Sequence, residues 1–175
     1  RSLKSLESID RGQLGPERQI SYDAFAWEKR EELGWLQPDM RALTDVQPFN
    51  HFGGLHVEFP TLVASGGTLS YATEADYRRA LMLNAAFAQG MDNAIVRFRE
   101  GMKTGAVETR LTVRNMIGQI DALLAQPVQQ SPFYSPVLHF PRAVPAVSRK
   151  RLRDAYAANI KNRVYPAYRR LRQFL

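Results

Sequence analysis

There is no cysteine among the 175 residues, which removes disulfides, thiolate metal sites and cysteine nucleophiles together. That absence does not choose between a cytoplasmic and a periplasmic setting. Histidine is scarce as well: His51, His56 and His139 are the three in the chain, and none is followed by glutamate. The His-Glu pair that opens a helical zinc-peptidase motif is therefore missing. No serine stands in a Gly-x-Ser-x-Gly turn, so the serine-hydrolase elbow is absent. Gly53-Gly54 and Gly66-Gly67 form neither a G-x-G-x-x-G pattern nor a loop ending in Lys-Ser/Thr, and they read as turn glycines. No apolar run approaches the roughly 18 to 20 residues that a membrane-spanning helix needs. The opening Arg1-Ser2-Leu3-Lys4 carries no apolar stretch of the kind that marks a signal peptide. A processed start would hide such a signal, so the compartment stays open.

What is present is ordinary for a globular domain: 45% of the residues are apolar, in a chain long enough to bury a core. The net charge of +7 is unevenly placed. From Arg149 to Leu175 nine basic residues face one acid, Asp154, and the rest of the chain is left at −1. The protein is thus a near-neutral chain with a basic last segment.

Periodicity points to helices. Leu3, Leu6 and Ile9 are helically spaced before the Gly15-Pro16 break. Ser21 is the expected N-cap of a helix reaching Leu36, with Gly34 and Pro38 marking its end. Residues 37–72 hold Pro38, Pro48 and Pro60 and two glycine pairs, and no helical period survives there. They are expected to form a long apolar loop or lid packed down on the helices, because Phe49, Phe52, Leu55, Val57 and Phe59 make them too apolar for a free linker. Thr73-Glu74-Ala75-Asp76 resembles a capping box with aspartate in the usual glutamate position. Behind it Tyr77, Leu81, Ala85, Ala88, Met91, Ile95, Phe98 and Met102 predict one long amphipathic helix, bent at Gly90 and closed by Gly105. A second runs from Arg110 to Ala125 with Val113, Ile117, Ile120 and Leu124 inward. Ser148 is the expected cap of a basic C-terminal helix over 148–175, whose stripe is Leu152, Tyr156, Ile160, Val164, Tyr168, Leu171 and Leu175. Pro166 predicts a kink near Asn162 to Val164. The pattern still runs at Phe174-Leu175, so the natural protein is expected to continue. That stripe would then lack its covering partner.

Few side chains form a constellation. His51 and His56 flank Phe52-Gly53-Gly54-Leu55, and with Glu58 they could suggest a metal site. Two imidazoles five apart on a loop impose no geometry, however, and packing or surface histidines are the favoured reading. Ser131-Pro132-Phe133-Tyr134-Ser135-Pro136 could line a ligand groove or form a rigid crossover between helices. The basic residues of the last helix are spread around its circumference. This favours a solvated face, or ion pairs to acids of an absent remainder, over a phosphate-binding face.

In order, Tyr77 to Met102 with Arg99-Glu100-Gly101-x-x-x-Gly105, then Ser131-Pro132-Phe133-Tyr134, then Val164-Tyr165-Pro166-Ala167-Tyr168-x-x-Leu171-x-x-Phe174-Leu175 resemble the bacterial domain of unknown function 885 family over residues 40 to 175. The resemblance implies a long helical protein, often exported and sometimes lipid-anchored, which favours a periplasmic or cell-envelope location. It also implies similarity to thermolysin-like zinc metallopeptidases, whose His-Glu-x-x-Pro-Gly-His helix lies downstream of the Pro-Ala-Tyr helix. Zinc is expected only in that downstream part, and no catalytic residue carries over to this chain.

The sequence therefore predicts an all-α fold: an irregular helical array with long ordered loops, forming part of a larger helical protein. Residues 1–175 read as a single helical region and an N-terminal fragment. Its expected role is a non-catalytic scaffold of a zinc-dependent peptidase-like protein, with no metal site of its own. His51, His56 and Tyr134 are the candidates for lining a cleft. The expected partners are the remainder of the parent polypeptide and a peptide substrate, with neither nucleic acid nor a transmembrane segment. The alternative is a stand-alone helical binding module that uses the basic last helix.

Overall fold

A computed structural model describes residues 2–175, with all of their side chains except those of Arg41 and Ala42. The fold is all-α, with no strand among the described residues. Among the described residues no helix is long and apolar enough to cross a membrane. The chain divides into two compact units at Asp45/Val46.

In the first unit α1 (Ser2–Glu7) is followed by a 3₁₀ turn (Arg11–Gln13), α2 (Pro16–Trp35) and α3 (Pro38–Thr44). The expected start at Ser21 is corrected here. Pro16 occupies the first turn of α2, where its missing N–H costs nothing and its fixed φ suits a helix. The Gly-Pro pair is thus a start signal rather than a break, and the Ser21 hydroxyl merely donates back to the Glu17 carbonyl at 3.2 Å. A bidentate pair of Arg11 with Asp23, at 2.8 and 2.6 Å, joins the 3₁₀ turn to α2.

The second unit holds α4 (Leu55–Val63), α5 (Glu74–Thr104), α6 (Arg110–Leu124), 3₁₀ turns at Val128–Gln130 and Ser135–Val137, and α7 (Ala146–Asn159). A π-turn (Ile160–Val164) leads from α7 into α8 (Tyr165–Phe174). Residues 37–72 are accordingly not one long loop: α3 and α4 lie inside them, and the boundary between the units crosses them. Proline did not prevent this, because Pro38 opens its helix and Pro60 is accommodated inside α4. Between α3 and α4, Val46 and Phe49 are buried.

The long helix starts and ends as its sequence dictates. The Asp76 carboxylate accepts both the Thr73 N–H and the Thr73 hydroxyl at 2.8 Å, and Gly105 leaves the helix at φ 81°. Its buried face is turned by about one residue from the expected stripe. Ala80, Asn84, Phe87 and Ala94 join Tyr77, Met91, Ile95 and Phe98 inside, whereas Leu81, Ala85 and Ala88 are half-buried and Met102 is exposed. Likewise α6 buries Thr112, Met116 and Ile120, with Val113, Ile117 and Leu124 at the edge of that face. Gly90 admits α4 closely: a Cβ there would stand 2.8 Å from Leu55.

The last segment is one continuous rod around a π-turn. Leu152, Tyr156, Ile160, Val164 and Tyr168 follow each other in steps of four. On an α-helix each such step overshoots a full turn by about 40°. The π-turn, closed by the Tyr165 N–H on the Ile160 carbonyl, inserts one residue and brings the stripe back, so that all five are buried. It lies where Pro166 leaves a carbonyl without its helical donor. Two of the four residues expected to lack cover, Tyr168 and Leu171, are fully buried within the unit, and Phe174 and Leu175 are half-buried. The cover is aromatic: Tyr168 meets Phe87 at 5.4 Å and Phe133 at 6.3 Å between ring centroids, and Phe59 stacks on Phe87 at 4.7 Å.

Ser148 is not the cap of α7. The helix opens on Pro145, and the Ser148 hydroxyl donates to Glu74 at 2.6 Å.

Candidate functional site

His51 and His56 sit on either side of a turn with a fixed shape. The Asn50 side chain accepts the N–H groups of Phe52 and Gly53 at 2.9 and 3.0 Å, an Asx turn. Gly54 stands at φ 124°, where a Cβ would lie 2.7 Å from the Phe49 ring, so glycine is required twice over. The result places His51 half-buried under the exposed Phe52 ring, 3.9 Å between centroids, and buries His56 to 3% exposure.

The two imidazoles do not converge on a ligand. His56 packs against Phe49 at 5.4 Å, and neither of its nitrogens has a hydrogen-bond partner among the described residues. The Nδ1 of His51 is buried and unpaired as well. Gln119 of α6 lies beside them and donates its amide to the His51 carbonyl at 2.8 Å. Burial pushes the His56 pKa below its ordinary 6.5, and Gln119 and the Glu58 carboxylate oppose that shift. Glu108 is raised by its own burial, against the pull of His51. No three His, Asp or Glu side chains gather as a metal ion needs, among the described residues.

Tyr134 is buried at the start of the Ser135–Val137 turn, within the main core cluster. Its stretch is a rigid crossover. The Ser135 hydroxyl donates to the Pro132 carbonyl at 2.7 Å and accepts the Ser65 N–H at 2.8 Å, while Phe133 enters the aromatic core.

The carbonyl of His56, rather than its ring, has the telling partner. Pro60 follows four residues later without an N–H, so this buried carbonyl loses its helical donor. The Tyr168 hydroxyl donates to it instead, at 2.7 Å. Other tyrosines also donate to backbone carbonyls: Tyr71 to that of Val63 at the end of α4, Tyr165 to that of Gln126 just beyond α6, and Tyr156 to that of Tyr77. Burial pushes the Tyr71 phenol up to about 12, and raises those of Tyr156 and Tyr168 further, so all three remain donors. Sequence reading saw Tyr156 and Tyr168 as members of an apolar stripe and Tyr165 as part of the Pro-Ala-Tyr motif. Pro60, which orphans the His56 carbonyl, was the signal that could have revealed the second role of Tyr168.

The basic segment is also tied inward. Arg170 of α8 grips Asp92 of α5 with two bonds of 2.8 Å, and Arg172 grips Asp121 of α6. Arg151 meets Glu74 at 2.8 Å, and Arg153 caps the Val137 carbonyl while lying over Phe140. Glu74 collects Ser148, Arg78 and Arg151, and the Ser148 hydroxyl followed by Arg78 holds its carboxyl down at about 2. The acids that answer these arginines belong to this chain. They lie about 50 to 80 residues away in sequence, which is why spacing alone could not pair them.

No curated protein and no solved structure matches the chain. A family profile does match, along residues 1–175 and so beyond the 40 to 175 over which the motifs suggested a resemblance. The chain belongs to the family described as Bacterial protein of unknown function (DUF885).

Proposed function

We propose that this chain is the non-catalytic helical scaffold of a zinc-dependent, peptidase-like bacterial protein, with zinc and its His-Glu helix supplied by a downstream part of the parent polypeptide. One observation carries this reading: the groups that chemistry would need are used here to hold helices together. Four tyrosine hydroxyls donate to backbone carbonyls, the buried His56 ring packs on Phe49, and Tyr134 is core. Membership of the DUF885 family is compatible with it. Of the three cleft candidates, His56 and Tyr134 are buried, so in this reading the half-buried His51 is the one that a peptide substrate would meet.

The alternative, a binding module that uses its basic last helix, has less support. Arg151, Arg170 and Arg172 already face Glu74, Asp92 and Asp121, which leaves a weaker field for a phosphate chain. The discriminating experiment is to read the encoding gene onward and purify its longer product. A second segment with His-Glu and a further His, about one zinc per molecule and peptide turnover would support the scaffold reading. A product without zinc that binds DNA in a steeply salt-dependent manner would replace it with the alternative.

A further inference from the structure

The half-buried ring of Phe140 carries two arginines of α7 that none of the foregoing uses. The guanidinium carbons of Arg149 and Arg153 lie 6.0 and 5.2 Å from its centroid. Residues four apart share one face of a helix, so both cations are brought to one place. Each is also pinned through its Nε, which donates to the Val144 carbonyl from Arg149 and to the Val137 carbonyl from Arg153, both at 3.1 Å. Arg149 adds a long bond of 3.5 Å from Nη2 to the Pro141 carbonyl. The anchors are thus a ring and main-chain carbonyls, and no carboxylate among the described residues pairs with either arginine.

That sets this pair apart from the cations around it. On the same helix Lys150 is answered by Asp154 at 2.7 Å and Arg151 by Glu74 at 2.8 Å. Like charges four apart on a helix repel, and neutral carbonyls do not cancel the repulsion. Two fixed, uncompensated guanidinium groups call for one small group that brings two negative charges. A carboxylate brings one, whereas a phosphate monoester carries close to two at neutral pH and offers three acceptor oxygens. Because Lys150 and Arg151 are already neutralised, no continuous basic stripe runs past the pair. It therefore suits a single anionic group rather than a nucleic-acid chain.

We propose that Arg149 and Arg153, gathered on Phe140, bind the phosphate group of a phosphate monoester. The Nε anchors leave the outer Nη edge of Arg153 to face the phosphate oxygens, and holding both side chains in advance lowers the ordering cost of binding. The proposal goes beyond the scaffold reading and does not depend on it, since nothing in the pair involves zinc or a peptide.

The test titrates the chain of residues 1–175, labelled with ¹⁵N-arginine, with inorganic phosphate at pH 7.5 and constant ionic strength. The Nε–H signals of Arg149 and Arg153, assigned by their loss in R149Q and R153Q, are expected to shift together along one saturable curve. Acetate at the same ionic strength should need at least about tenfold more to reach half-saturation, because it brings a single charge. R153K keeps the charge but loses the planar fork, and should bind phosphate at least about threefold more weakly. R163Q and R169Q, at exposed positions elsewhere in the basic segment, should leave the curve unchanged. Glycerol 3-phosphate and a phosphoserine tripeptide should shift the same two signals, and the tighter of them identifies the carrier. Should R149Q lose native helicity, R153Q alone supplies the loss-of-binding arm. No saturable shift, an equal response to acetate, or a curve that survives R153Q or weakens as much in R163Q would overturn the proposal.

Discussion

At residue scale the most consequential contact is between Pro60, His56 and Tyr168. Proline removes the helical donor for the His56 carbonyl, and a tyrosine more than a hundred residues away replaces it. Both partners are buried, so losing one leaves an unsatisfied carbonyl in the core. Tyr168→Phe is expected to cost about 1 to 3 kcal/mol, read as a lower midpoint in urea unfolding. An unchanged midpoint would mean that water reaches the carbonyl.

His56 supplies a pH dependence. Its folded pKa lies below its ordinary value of 6.5 because burial penalises the imidazolium. The unfolded chain therefore takes up a proton before the folded one does. The stability that His56 contributes is complete above about pH 6.5 and falls as pH drops through the folded-state value. Unfolding midpoints should decline between about pH 7.5 and 5.5, and His56→Phe should flatten that decline. Glu108, raised by its burial, works in the opposite sense, so the difference between the two proteins is the quantity to compare. Equal slopes for both would show that the ring is solvated.

Among the elements, the ties between α8 and its neighbours differ in strength. The Arg170–Asp92 pair has good geometry, but its side chains are 47% and 39% exposed, and exposed pairs contribute only about 0.2 to 1 kcal/mol. Asp92→Asn should therefore lower the midpoint less than Tyr168→Phe does, and by less still at high salt. A larger loss for Asp92→Asn would reverse that order. The α5 end is stricter. A Cβ on Gly101 would stand 2.3 Å from the Ala106 carbonyl oxygen, where the chain turns back after Gly105. Gly101→Ala is expected to cost more than about 1 kcal/mol in thermal unfolding despite the better helix propensity of alanine.

Sequence reading succeeded at this scale where a signal was local. The Thr73–Asp76 cap, the Gly105 exit and the irregularity next to Pro166 each depend on a few adjacent residues. It failed where the answer was distant. The buried α5 face takes in Ala80, Asn84 and Ala94, where the expected stripe took Ala85 and Ala88, because the burial of small side chains is decided by the helices packed on them and not by local spacing. Proline misled twice, at Pro16 and Pro60. One was a helix start, and the other was rescued by a tyrosine from another helix.

For the whole molecule, the helical class was legible from periodicity and the family from the order of its motifs, and the family match extends along residues 1–175. The candidate site was legible only as residue types. That His51 and His56 would face packing rather than each other depends on Gly54, Phe49 and Gln119, which no spacing rule connects.

The central proposal is that this chain would brace a site whose metal is held by another part of the parent polypeptide. The most direct measurement is a zinc titration of residues 1–175 at neutral pH by calorimetry, with hydrolysis of a mixed peptide library followed in parallel. The account expects no saturable one-to-one zinc site, and turnover no greater than that of the His51→Ala/His56→Ala double variant. A stoichiometric zinc site with peptide turnover, both lost in that variant, would contradict it and make the two histidines ligands.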